Sequence, residues 1–158
     1  MRVQVHGILG AFVVVSKRSR VFFLVYVSAA VTWFSPAELR ALLATARAEN
    51  QRAGITGMLL YKDGNFMQVL EGDEAAVRRL QARIAADRRH RGMVVIDSGP
   101  LAEREFAAWS MGFCDLNAGS DALPPGYSDF LDLPLDDPLF ASSPNRCRQL
   151  LQLFKQLE

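Results

Sequence analysis

The chain has 158 residues, of which 50% are apolar and 22% are charged, and its formal net charge is +1. That is the composition of one globular domain with room for an appendage, and the near balance of charge argues against nucleic acid or a membrane surface as a partner. Two cysteines and two histidines without ligand spacing predict no metal site, and this cysteine usage requires no oxidising compartment, so we expect a cytoplasmic protein.

The first twenty residues are expected to lie outside the main domain. Their apolar run, Ile8 to Val15, is too short to span a bilayer. Basic residues follow this run where a signal peptide would carry a small-residue cleavage site. We therefore interpret residues 1–20 as an N-terminal extension or an extra strand.

The next two segments alternate between strand and helix patterns. Residues 21–28 form a nearly continuous apolar run that is typical of a central strand. The sequence Ser-Pro-Ala-Glu at 35–38 is a capping box with proline at the first helical position, and it predicts a helix to about residue 51. Gly54 is placed to end that helix.

Residues 55–61 and 65–71 are predicted to form a β-hairpin, because Asp63-Gly64 between them is a strong two-residue turn signal. Alternation along the second strand places Gln68 between two large apolar residues on one face. An amide held there without partners would cost about 1–3 kcal/mol, so a polar group must face it. A backbone carbonyl or a neighbouring side chain would serve, and so would a bound heteroaromatic ligand.

The remaining pattern completes an α+β domain. Asp73 can cap a second helix to about residue 87, and residues 92–98 and 109–115 read as strands. The order β-α-β-β-α-β with a fifth strand predicts a ferredoxin-like mixed sheet with two helices on one face.

The composition changes after Leu116, and residues 117–158 form the last predicted region. A short helix over about 127–133 and a final helix from 143 are expected there. The final helix has an apolar stripe, so we expect it to pack on the open face of the sheet or on a second subunit. The predicted division is therefore 1–20, 21–116 and 117–158.

Five residues are candidates for chemistry, and each also has a plain structural explanation: Tyr26, Asn50, Gln68, Trp109 and Met111. No serine or cysteine lies near a histidine in a nucleophile arrangement, and no carboxylate pair or glycine-rich phosphate loop is visible. We therefore do not expect an enzyme.

Taken together, five ordered segments resemble the BLUF family, the sensors of blue light using FAD. They are YVS at 26–28, Asn50 ahead of GITG at 54–57, FMQVLEG at 66–72, DRRHR at 87–91 and WSMGF at 109–113. The resemblance covers residues 21–116. The chain is similar to the short, stand-alone BLUF photoreceptors.

The resemblance implies that FAD, or alternatively FMN or riboflavin, binds without a covalent bond between the two helices. The residues implied to bind it are Tyr26, Leu42, Asn50, Gln68, Ile84, Asp87, Arg89 and His90. Leu42 and Ile84 would flank the ring, and Asn50 would hydrogen-bond its pyrimidine edge. Gln68 would face N5 and the C4 carbonyl while bonding Tyr26. The last three residues would meet the ribityl and phosphate end, where a cation suits phosphate oxygens.

The implied mechanism is photochemical rather than enzymatic. Tyr26 would give an electron and a proton after excitation, and Gln68 would rotate or tautomerise, because an amide has a donor end and an acceptor end. Trp109 and Met111 match positions that relay the signal to the C-terminal helices of residues 117–158, called the tail below. The resemblance implies a downstream signalling protein, and the apolar tail stripe predicts a homo-oligomer.

Two alternatives remain at the level of sequence: a light-independent ferredoxin-like interaction adaptor and a small flavin-dependent redox enzyme. Glu49 also departs from the family, since many relatives have a neutral polar residue or a histidine there. That departure leaves the preferred flavin open.

Overall fold

The computed structural model describes residues 21–107, 110–115 and 147–156. Its helices and strands, in chain order, are β1 (Val21–Ala30), α1 (Pro36–Ala53), β2 (Thr56–Lys62), β3 (Asn65–Gly72), α2 (Glu74–Ala85), β4 (His90–Leu101), β5 (Gly112–Asp115) and α3 (Cys147–Gln156). The five strands form one sheet in the order β4-β1-β3-β2-β5. All neighbouring pairs are antiparallel except β2 and β5, which are parallel. The predicted ferredoxin-like mixed sheet is confirmed.

β1 lies between β3 and β4, and its residues 22–26 are buried, as its continuous apolar run predicts for a central strand. Its antiparallel register with β3 sets Tyr26 directly opposite Gln68. Directly opposed residues on neighbouring strands have their side chains on the same face of the sheet. The sheet alone therefore brings these two side chains together.

The capping signals of α1 are all present in the structure. Ser35 Oγ accepts from Glu38 N at 3.2 Å, and Ser35 N donates to Glu38 Oε2 at 2.7 Å. Gly54 ends the helix in the left-handed region at φ 67°. Because this cap lies after Ala53, the helix runs two residues further than predicted.

The hairpin turn is also as predicted. Asp63 and Gly64 both have positive φ, at 49° and 76°, which is the type I′ arrangement that matches the twist of two paired strands. Lys62 pairs with Asn65 across this two-residue turn. The turn fixes the register of β2 against β3.

Two apolar cores lie on the two faces of the sheet. The helix-side core contains residues of α1, α2 and the even-numbered positions of β1, and its members include Leu24, Leu39, Leu70, Val77 and Met111. The tail-side core contains residues of the opposite face and of α3, and its members include Val25, Met58, Val69, Phe106, Leu151 and Phe154. In α3, Leu151 and Phe154 are buried against the sheet.

The edge strands differ most from the sequence prediction. β4 covers residues 90–101 rather than 92–98, because β1 runs on to Ala30 and supplies a pairing partner for His90. β5 begins at Gly112 rather than at 109. Residue 109, the predicted helix over 127–133 and the predicted start at 143 lie outside the described residues.

Within residues 21–107, 110–115 and 147–156, no helix combines enough length and apolar character to cross a membrane. Nor do the side chains in the described part of the chain include a group of His, Cys, Asp and Glu that could ligate a metal ion.

Candidate functional site

A cavity of about 280 Å³ opens between α1, α2 and the helix side of the sheet. All eight residues that the resemblance assigned to flavin binding line it: Tyr26, Leu42, Asn50, Gln68, Ile84, Asp87, Arg89 and His90. Leu42 from α1 and Ile84 from α2 are half-buried and supply apolar side chains from the two helices. The cavity therefore has two apolar walls and a polar floor.

Tyr26 and Gln68 form the floor. Tyr26 Oη donates to Gln68 Oε1 at 2.5 Å, and both side chains are buried. Burial, and secondarily the charge of Asp87, raises the pKa of Tyr26 above its ordinary value, so the phenol keeps its proton. The other end of the amide, Gln68 Nε2, donates to Met111 Sδ at 3.4 Å. A neighbouring side chain thus satisfies the amide oxygen, while the amide nitrogen has a weak sulfur acceptor.

Met111 and the residue before it are tied to α1 through their backbone carbonyls. Asn50 Nδ2 donates to Ser110 O at 3.0 Å, and Arg47 Nε donates to Met111 O at 2.8 Å. Successive carbonyls of a regular strand point in opposite directions, whereas these two both meet donors from one helix. The backbone bends at residues 110 and 111, which explains why β5 begins at Gly112. Trp109, the other predicted relay residue, lies outside the described residues.

Ser28 is a cavity residue that the sequence did not single out. Its hydroxyl is buried, lines the cavity and has no hydrogen-bond partner among the residues described here. An unpaired buried hydroxyl is costly unless something polar meets it. The signal available in the sequence was its position two residues after Tyr26, on the same face of β1.

Charged residues surround the mouth of the cavity. Arg89 binds Asp87 through both carboxylate oxygens, with Arg89 Nη2 2.6 Å from Asp87 Oδ2, and these hydrogen bonds lower the pKa of Asp87 to about 2. His90 Nε2 donates to Ile84 O at 2.5 Å. Across the mouth, Arg83 of α2 is paired with Glu49 of α1 at 2.5 Å.

The arrangement fits a flat heteroaromatic group. Two helices supply apolar side chains on its flanks, and the sheet supplies an amide and a hydroxyl below. Ser28 Oγ adds a hydroxyl that has no partner within the described part of the chain. A heteroaromatic ring with carbonyl oxygens and ring nitrogens provides the acceptors and donors that such a site lacks.

Comparison with known families decides the identity of the domain. The model of one family, described as sensors of blue-light using FAD, matches residues 21–112. The chain belongs to the BLUF family. Its BLUF domain is thus of the kind that senses blue light with a bound flavin, FAD.

Relatives of known sequence match just over half of this chain and about a tenth of their own length. The β subunit of photoactivated adenylate cyclase from Euglena longa is 38% identical over 89 residues, which is 56% of this chain and 10% of the relative. The α subunit from Euglena gracilis is 38% identical over 85 residues, which is 54% of this chain and 8% of the relative. The chain spans about a tenth of the length of the relatives it matches.

Solved BLUF structures have the same fold. The dark-state structure of BlrB, a BLUF protein, is 29% identical with a TM-score of 0.62, and the match covers 86% of this chain and 98% of that one. Klebsiella pneumoniae BlrP1 with FMN and cyclic diGMP is 33% identical with a TM-score of 0.66, over 85% of this chain and 34% of that one. The photo-activated state of BlsA is 26% identical with a TM-score of 0.61, and the match covers 87% of this chain and 96% of that one.

Proposed function

We propose that this chain is a non-enzymatic blue-light photoreceptor in which Tyr26 and Gln68 carry out the photochemistry and a separate protein receives the signal. The observation that carries the proposal is the 2.5 Å hydrogen bond from Tyr26 Oη to Gln68 Oε1 on the floor of the cavity. When bound, FAD supplies the blue-light chromophore and, once excited, a strong oxidant.

Tyr26 is the proposed electron and proton donor. Its raised pKa keeps the phenol neutral in the dark, so an electron and a proton can leave together. The proton on Oη already points at Gln68 Oε1, which gives it a path of one hydrogen bond. Charge recombination would then return both to Tyr26.

Gln68 is the proposed switch. Only in the observed orientation does its oxygen meet a phenol donor and its NH₂ meet a thioether acceptor. A half-turn of the amide would place the oxygen against Met111 Sδ, which cannot donate. The interaction with Met111 therefore favours the dark orientation, and a turn of Gln68 would release Met111.

The other cavity residues are proposed to hold the cofactor. Leu42 and Ile84 would flank the ring, and Asn50 would hold its pyrimidine edge while keeping its bond to the backbone at residue 110. Asp87 fixes the Arg89 guanidinium at the rim, where Arg89 and His90 are proposed to meet the ribityl and phosphate end.

The proposal extends to the setting in which the domain works. It comprises the division 1–20, 21–116 and 117–158, a cytoplasmic location, a homo-oligomer and signalling to a partner protein. The helix α3 supports a role for the tail, because Leu151 and Phe154 pack on the sheet face opposite the cavity.

Absorption spectra before and after blue light test the proposal. We expect a reversible red shift of the flavin band in the purified protein, and its loss in Tyr26→Phe and Gln68→Leu with the flavin retained. Tyr61→Phe is the matched control, since Tyr61 is a second buried tyrosine whose hydroxyl accepts from Phe34 N. A colourless preparation, bleaching of the flavin band, or a normal red shift in either test variant would contradict the proposal.

A further inference from the structure

Met111 is held at two points by two different parts of the domain. Its side chain accepts from Gln68 Nε2 at 3.4 Å, and its backbone carbonyl accepts from Arg47 Nε at 2.8 Å. Met111 is itself almost fully buried, with 1% exposure. Burial limits the movement of its side chain, and the bond from Arg47 fixes its backbone carbonyl.

Arg47 of α1 supplies the donor to the Met111 carbonyl. It lies half-buried on α1, and burial lowers the pKa of its guanidinium below the ordinary value. A partly buried cation is costly unless hydrogen bonds compensate for the lost water. Arg47 is not among the described residues that line the cavity.

We propose that Arg47 is a positioning residue for the photocycle: its bond to Met111 O holds Met111 Sδ against the dark-state amide of Gln68. When Gln68 turns, the thioether loses its donor, while the bond from Arg47 keeps the backbone in its dark position. Arg47 thereby favours the return of Met111 and Gln68 to the dark arrangement.

The inference rests on the proposed photocycle, and its test is the rate at which the red shift decays in the dark. Arg47→Met removes the donor and keeps an unbranched apolar stem. We expect it to slow recovery about two- to tenfold, the range that corresponds to one intramolecular hydrogen bond in an activation barrier. Arg40→Met makes the same change at an exposed position of the same helix and should leave recovery unchanged.

A double-mutant cycle with Met111→Leu identifies the route. Leucine keeps the apolar volume and removes the sulfur acceptor, so Arg47→Met should have no further effect in that background. Thermal unfolding is followed for every variant. The bond from Arg47 is to a backbone carbonyl, so its loss should lower stability equally in both backgrounds, whereas a purely structural role would also slow recovery equally in both.

The inference is overturned if Arg47→Met recovers at the wild-type rate, or if it slows recovery equally with and without Met111 Sδ. If Arg47→Met does not fold, Arg47→Lys takes its place in the same cycle, and it should recover more slowly than the wild type only when Met111 is present. A wild-type protein without any red shift would instead refute the proposed function, so the two failures are distinguishable.

Discussion

Replacing Glu71 with glutamine should destabilise the domain, although Glu71 lies on the face away from the cavity. Its carboxylate is completely buried at the end of β3. Oε1 accepts from Glu105 N at 2.7 Å, and Oε2 accepts from Phe106 N at 3.1 Å and from Thr56 Oγ1 at 2.9 Å. Arg104 adds a bond to the Glu71 carbonyl at 3.1 Å. One buried side chain therefore fixes the turn that follows β4.

The size of the effect follows from the number of acceptors that remain. Glutamine keeps one oxygen and places an NH₂ group where the other was, so at least one backbone N–H, that of Glu105 or Phe106, faces a second donor. An unsatisfied buried donor costs about 1–3 kcal/mol. Relief of the buried charge offsets part of this cost, so we expect the free energy of unfolding to fall by about 1–2 kcal/mol.

Urea unfolding of the flavin-loaded protein measures this difference as a shift of the midpoint at constant slope. Glu103→Gln is the matched control, because Glu103 is exposed in the same turn and undergoes the same loss of charge. The control should stay within about 0.5 kcal/mol of the wild type. Equal midpoints for Glu71→Gln and the wild type would refute the assignment of Glu71 as the anchor of the turn.

The same pair of proteins gives a pH test. Burial raises the pKa of Glu71, so the folded state holds this proton more tightly than the unfolded state does. The stability that Glu71 gains from this raised pKa is complete below the ordinary carboxyl pKa, and it declines as pH rises through the raised pKa. Glutamine does not titrate, so the stability difference between the wild type and Glu71→Gln should narrow as pH rises through that window. A difference that widens would contradict burial as the main cause.

Two further predictions concern the mouth of the cavity and the tail. Glu49→Gln breaks the ion pair with Arg83 that joins α1 to α2, so flavin should dissociate faster than from the wild type at low salt and at the wild-type rate at high salt. The control is Glu74→Gln, which breaks an exposed ion pair within α2. Equal dissociation rates for Glu49→Gln and the wild type at low salt would contradict the prediction. Deletion of residues 143–158 should preserve the red shift, but it should expose the tail-side core and change the size of the assembly measured by light scattering. If the truncated protein has the same size as the full chain in the dark and in the light, this role for the tail is excluded.

Local signals explain what was predictable from the sequence. The capping box at 35–38 and the turn at Asp63-Gly64 depend on residues within one helical turn or one hairpin, and both form as predicted. Gln68 was singled out because a polar amide interrupts an apolar strand face. Its partnership with Tyr26 spans 42 residues of sequence, and only the family resemblance indicated it.

The remaining features depend on contacts that no local pattern contains. Arg47 and Glu71 read as a helix arginine and a strand glutamate, and their importance comes from backbone groups at residues 105, 106 and 111 that only the folded chain brings near. The predicted start of β5 at 109 is wrong for the same reason, because donors from α1 bend the backbone at Ser110. The extent of β4 depended on how far β1 continued.

The two-residue turn at Asp63-Gly64 has a consequence for how this protein can evolve. Counting from the turn, Gln68 pairs with Leu59 on β2 and with Tyr26 on β1. Surface loops usually tolerate insertions. One extra residue accommodated by a slip of β3 would instead turn Gln68 to the tail side and bring Met67 or Val69 opposite the phenol. The length of this turn is therefore constrained by light sensing, and residue 64 is constrained separately by its positive φ of 76°.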